Sequence, residues 1–154
     1  MYKMLLAGLA LVAVMTSCGG AMTTTYKTTL SGANEVPAVT TAGTGTVTAT
    51  LDISTKVLTV TGSYSGLSGA VTAPGALASG AHIHGPAAVG VNAGVLFNLT
   101  ATAGATAGSG TLAQTTTITL TDAQIIEIND GKYYVNLHTA ANAGGEVRGQ
   151  LIKQ

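Results

Sequence analysis

Residues 44–67 read "TGTVTATLDISTKVLTVTGSYSGL", and this stretch decides the fold class. Its apolar side chains alternate with threonines and other polar residues, and they are Val47, Ala49, Leu51, Ile53, Leu58 and Val60. A period of two puts every second side chain on the same face, which is typical of a half-buried strand. The polar pair at 54–55 supplies a turn between the two halves, so the stretch predicts an antiparallel β-hairpin.

The rest of the chain continues this pattern of short strands separated by Gly- and Pro-containing loops. One segment differs: Thr121 is suited to be an N-cap, with Asp122 in the first turn and Gln124 placed for a capping box. About seven to eight strands with one brief helix favour an all-β protein. We therefore predict an antiparallel β-sandwich with Greek-key, immunoglobulin-like or superoxide-dismutase-like topology and one short helix.

The composition excludes some classes of partner. Charged residues make up 8% of the 154 residues, and apolar residues make up 46%. Without residues 1–17 the chain keeps five basic and six acidic side chains, because Lys3 is the only charged residue removed. No run of basic residues is present, so we expect no nucleic-acid partner.

The N-terminus has the features of an export signal: Lys3, an apolar run over 4–15, and two small residues before Cys18, the only cysteine. This arrangement resembles a bacterial lipoprotein signal, in which the cysteine is diacylated; a plain signal peptide with an incidental cysteine is the alternative. We expect a signal peptide over 1–17, lipidation of Cys18, a tether over 18–25 and one domain over 26–154. The expected location is the cell envelope, at the outer membrane.

The histidines are the strongest candidates for a functional site. The chain has three, and two of them, His82 and His84, are one residue apart in "GAHIHGP". On a strand this spacing puts both imidazoles on one face, where they can converge on one ion, as the same spacing does in copper/zinc superoxide dismutases. His138 in "YVNLHT" would be the third ligand of a copper or zinc site. The alternative is that each ring only braces a loop through a hydrogen bond.

Three segments carry a family resemblance: "LSGANEVPAV" at 30–39, "AHIHGPAAVGVNAGVLFNL" at 81–99 and "GKYYVNLHTAANAGGEVRGQL" at 131–151. In this order they resemble the signature segments of the CHRD domain, named for its occurrence in chordin. The resemblance implies an exported β-domain and says little about activity. The growth-factor binding of chordin is associated with cysteine-rich modules, which this sequence lacks, so that activity is not carried over.

Three further residues are expected to support the histidines. Glu146 and Arg148 share a strand face, where they could pair with each other or with a cross-strand partner and anchor the loop before them; direct contact with a ligand is the alternative. Glu35 could accept a hydrogen bond from a histidine N–H or be only a loop carboxylate. The sequence has no GxSxG motif and no fourth histidine for a dismutase-like centre, so we expect no enzyme. The expected function is that of a lipid-anchored module that binds a metal ion or an envelope protein. An adhesion or matrix-type module with purely structural histidines is the alternative.

Overall fold

Ten strands and one α-helix follow one another along residues 22–154, the part of the chain that the computed structural model describes. The strands are β1 (Thr23–Ser31), β2 (Thr44–Asp52), β3 (Val57–Ser65), β4 (Ala81–His84), β5 (Val95–Ala103), β6 (Gly110–Gln114), β7 (Ile118–Thr119), β8 (Tyr134–Leu137), β9 (Val147–Gln150) and β10 (Ile152–Lys153). The helix α1 spans Asp122–Asn129 and lies between β7 and β8 in the sequence.

The two local predictions are confirmed. β2 and β3 form the hairpin in continuous register, from Thr44 opposite Ser65 to Leu51 opposite Leu58. Ile53 is beyond the end of β2 and is 38% exposed, so the apolar face of this strand ends at Leu51, two residues earlier than its pattern indicates. Helix α1 begins after Thr121 with the predicted capping box, in which Thr121 and Gln124 each accept a hydrogen bond from the backbone of the other.

The sheet closes on itself, and the predicted sandwich is therefore wrong. The strand order is β1-β2-β3-β6-β5-β4-β8-β9, and β9 returns to pair with β1, opposing Arg148 to Ser31. β10 extends this pairing in the same register, with Ile152 opposite Lys27. The eight strands form one antiparallel barrel, so the all-β class and the short helix are confirmed. Alternation specifies the two faces of a strand. Closure of the barrel depends on which strands pair, and the strands that pair can be distant in the sequence.

The barrel interior is the hydrophobic core. It contains aliphatic side chains from the barrel strands together with Tyr26, Tyr64 and Tyr133. The residues of β4 that face it are Ala81 and Ile83. β1 begins at Thr23, three residues before the predicted start of the domain. Among residues 22–154 no helix is long and apolar enough to cross a membrane. The predicted signal peptide and Cys18 lie outside the described residues.

Candidate metal centre

The site begins with the alternation of β4. Ala81 and Ile83 point into the barrel core, so His82 and His84 project from the outer face of the barrel wall. All four residues are buried, because loops cover this face as well as the core. The face of β4 opposite the core is thus also buried, and its side chains are polar.

β8 brings the third histidine to this face. It pairs antiparallel with β4 so that Asn136 is opposite His82 and Tyr134 is opposite His84. His138 follows two residues after Asn136 and continues the pairing, since its backbone N–H donates to the Gly80 carbonyl at 2.8 Å. The centroid of the His82 ring lies 5.4 Å from that of His84 and 5.1 Å from that of His138. The structure therefore brings the three histidines predicted from the sequence into one cluster.

Two backbone carbonyls orient two of the rings. The Nδ1 atom of His84 lies 3.0 Å from the Ala93 carbonyl oxygen, and the Nδ1 atom of His138 lies 2.9 Å from the Ala143 carbonyl oxygen. A carbonyl oxygen only accepts, so each Nδ1 carries the proton and donates it. The Nε2 atom of each ring is then the unprotonated nitrogen, which is the form that binds a metal ion.

The remaining ring nitrogens are buried and unsatisfied. Within residues 22–154, the Nε2 atoms of His84 and His138 and both nitrogens of His82 have no hydrogen-bond partner. One ring nitrogen from each histidine lies within 4.8 Å of the others. Bonds of about 2.0–2.1 Å to a tetrahedral zinc ion set nitrogen separations of about 3.4 Å. Small movements of the rings toward a common point would therefore complete a three-nitrogen site.

Burial keeps the three rings neutral. Desolvation, followed by the nearby His138 and His84 rings, lowers the pKa of His82 to about 4. Desolvation also lowers the pKa of His84, while the hydrogen bond to the Ala93 carbonyl acts in the opposite direction. The pKa of His138 is lowered by the same main cause. At neutral pH the cluster consists of uncharged imidazoles, as metal binding requires.

Arg148 fixes the loop that orients His84. Its guanidinium donates from Nη1 to the Asn92 side-chain oxygen at 2.9 Å and from Nη2 to the Val91 carbonyl at 2.8 Å. Its Cζ atom lies 3.4 Å from the centroid of the Tyr134 ring, on which His84 stacks. Arg148 thus acts on the histidine through the loop and the tyrosine, and it is a positioning residue.

Glu146 fixes the loop that orients His138. Its carboxylate accepts hydrogen bonds from the Ser68 backbone and side chain and from the hydroxyls of Thr41 and Thr139. Burial alone would raise the pKa of Glu146, but these hydrogen bonds outweigh it and lower the pKa to about 2. Within residues 22–154, Glu146 and Arg148 form no ion pair with each other. Each residue instead holds its own loop.

Glu35 lies behind the same loop and does not reach the rings. Its carboxylate packs closely against Gly145, and a Cβ atom added to Gly145 would lie 2.5 Å from the Oε1 atom of Glu35. Among the described residues no hydrogen bond joins Glu35 to a histidine, and its Oε1 atom is buried without a partner. Desolvation dominates the nearby positive charge of Arg148 and raises the pKa of Glu35 to about 7.

The sequence did not identify two parts of the cluster. The carbonyls of Ala93 and Ala143 have no sequence signal, because any residue supplies a backbone oxygen. Asn136 had a sequence signal, because it has the same strand parity as His138. In the structure it is buried on the histidine face, and its Oδ1 atom has no partner anywhere in residues 22–154.

The profile of the CHRD domain matches residues 26–151, which include all three histidines and every residue described around them. No curated protein and no solved structure matches the chain significantly.

Proposed function

The chain belongs to the CHRD domain family, and from this premise we propose that it is a non-enzymatic module that binds one copper or zinc ion through His82, His84 and His138. The observation that supports this proposal is the set of unsatisfied ring nitrogens in a buried cluster. A buried polar atom without a partner costs about 1–3 kcal/mol. One ion would bind one unsatisfied nitrogen from each of the three rings and so remove three of these costs.

The chemistry of the donors favours copper or zinc. Neutral imidazole suits both metals, whereas magnesium and calcium prefer oxygen ligands. The two carbonyls that accept from Nδ1 play the role that outer hydrogen-bond partners commonly play around metal-bound histidines, since they set the tautomer and the ring orientation.

A second candidate is a passive module of the adhesion or matrix type, in which the histidines only brace loops. The hydrogen bonds of His84 and His138 to Ala93 and Ala143 favour it, because each one ties a loop to the barrel wall. The bracing hydrogen bonds use one nitrogen of each of these two rings. Within residues 22–154, neither nitrogen of His82 forms such a bond. Bracing therefore does not account for the convergence of three rings.

The test is a calorimetric titration of the tag-free full chain with Zn(II) and with Cu(II), repeated with His84→Ala. We expect one ion per chain in the wild type and binding more than about 100-fold weaker in the variant, because outer hydrogen-bond partners alone are worth about 10–100-fold. Asn98→Ala is the control, since Asn98 is exposed and opposite His82 on β5. Equal binding by the wild type and His84→Ala would leave the bracing role as the function.

We also propose that the module is exported and anchored in the cell envelope through a lipid on Cys18. The support comes from the sequence alone: the basic residue, the apolar run and the small residues before the cysteine. A cysteine that carries several acyl chains holds a protein stably at a membrane, whereas a single acyl chain holds it only marginally. The partner at the envelope would then be the membrane, together with a metal ion or a protein that exchanges one.

A further inference from the structure

We infer that Asn136 is a fourth ligand of the metal site, through its side-chain carbonyl oxygen, and that the site is built for a divalent ion. This inference rests on the proposed metal binding and goes beyond it, because it adds an oxygen donor to the three histidine nitrogens and specifies the charge of the ion.

Position is the first argument. Asn136 is directly opposite His82 in the pairing of β4 with β8, and it is two residues before His138 on the same face of β8. Side chains that oppose each other across antiparallel strands have Cβ atoms about 4.5–5.5 Å apart. Asn136 therefore lies beside His82 and on the same face as His138, and it is 4% exposed.

The unsatisfied oxygen is the second argument. The Oδ1 atom of Asn136 is buried and has no hydrogen-bond partner in the described part of the chain, as is the case for the ring nitrogens beside it. The Nε2 atoms of His84 and His138 have a lone pair and no proton, because the Nδ1 atoms of these rings donate to Ala93 and Ala143. Neither Nε2 atom can therefore donate to the amide oxygen of Asn136. A cation can bind the lone pairs of this oxygen and of these two nitrogens together, whereas two acceptors form no hydrogen bond with each other.

Asn136 is buried, whereas the asparagine on the other side of His82 is not. Asn98 is opposite His82 on the other neighbouring strand, β5, but it is exposed to solvent. The same residue type thus occurs on both sides of His82, and one side chain is enclosed with the histidines while the other is not. Asn98 is therefore the matched control.

The donor set indicates the class of ion. Three imidazole nitrogens and one amide oxygen suit a borderline divalent ion such as Zn(II) or Cu(II), which takes nitrogen and oxygen ligands. Cu(I) prefers soft sulfur donors and would gain little from an amide oxygen. The described residues place no cysteine, methionine sulfur or carboxylate in the cluster.

The experiment compares the tag-free wild type with Asn136→Leu, Asn136→Asp and Asn98→Leu, using Zn(II) by calorimetry and Cu(I) by anaerobic competition with a chromophoric chelator. We expect Asn136→Leu to weaken Zn(II) binding more than tenfold and Cu(I) binding less than threefold. Asn136→Asp should bind Zn(II) at least as tightly as the wild type, because a carboxylate oxygen replaces the amide oxygen. Asn98→Leu should change neither affinity.

Thermal unfolding of the metal-free proteins separates a ligand from a structural residue. A ligand oxygen that is unsatisfied without metal costs stability, so the melting temperature of metal-free Asn136→Leu should equal or exceed that of the wild type. Zn(II) binding by Asn136→Leu within twofold of the wild type would overturn the inference while leaving the three-histidine site intact. Equal Zn(II) affinity of the wild type and His84→Ala would instead overturn the proposed function, and this inference with it.

Discussion

The Cζ atom of Arg148 lies 3.4 Å from the centroid of the Tyr134 ring. The same ring stacks on His84, with centroids 4.9 Å apart and planes 3° apart. A cation on an aromatic face is attracted by the ring quadrupole, and a planar guanidinium covers the face better than an ammonium. The contact links β9, β8 and β4 on the outer wall of the barrel, and it holds the tyrosine against one of the three clustered histidines.

Replacing Arg148 by lysine should therefore destabilise the protein although the charge is kept. Lysine cannot reproduce the planar stack together with the two hydrogen bonds to Asn92 and Val91. We expect the free energy of unfolding to fall by about 2 kcal/mol, the scale of hydrogen bonds to a charged group. Urea unfolding measures this, and Lys27→Met, at an exposed position of β1, is the control. An unchanged urea midpoint for Arg148→Lys would show that the stack contributes little.

Glu146→Gln should destabilise the protein at neutral pH and less so in acid. The folded pKa of Glu146 is about 2, below the ordinary value of 4.5, so its contribution is complete above pH 4.5 and is lost as the pH falls toward 2. A shift of this size corresponds to about 3 kcal/mol. Urea unfolding of both proteins at pH 7 and at pH 3 measures the difference. A difference that does not shrink in acid would contradict the role of the charged carboxylate.

Glu35→Gln should show the opposite dependence on pH. The folded pKa of Glu35 is about 7, above its ordinary value of 4.5, so the carboxyl group favours folding most below pH 4.5, and this contribution is lost as the pH rises through 7. The amide of glutamine stays uncharged. At pH 8 we expect the variant to exceed the wild type in unfolding free energy by up to about 3 kcal/mol, and to match it near pH 4.5. An equal difference at both pH values would rule out burial of the charge as the cause.

Cys18→Ala should release the protein from membranes if Cys18 carries the lipid anchor. Residues 1–17 would still direct export, but the chain would lack the acylated side chain that holds it at the bilayer. Fractionation of cells into membrane and soluble material, followed by immunodetection, measures the change. Ser17→Ala, at the small residue before the cysteine, is the control and should stay with the membranes. An unchanged distribution of Cys18→Ala would argue for a different mode of retention.

Local features were predictable because neighbouring residues produce them. The alternation of Val47, Ala49 and Leu51 specifies the strand, and Thr121 with Gln124 specifies the start of the helix. The spacing of His82 and His84 likewise fixes their common face, since successive side chains of a strand point to opposite sides. A one-residue change in either pattern would move side chains to the wrong face or remove the cap.

Closure of the barrel and completion of the site required tertiary structure. Only the pairing of β1 with β9 and β10 distinguishes a barrel from a sandwich, and only the register of β4 with β8 brings Asn136 and His138 to His82. Residues 82 and 138 are far apart in the sequence, so a shift of register by one residue would separate them without any change in local pattern. The sequence by itself therefore determined which side chains share a face, and the long-range pairing of strands decided which faces meet.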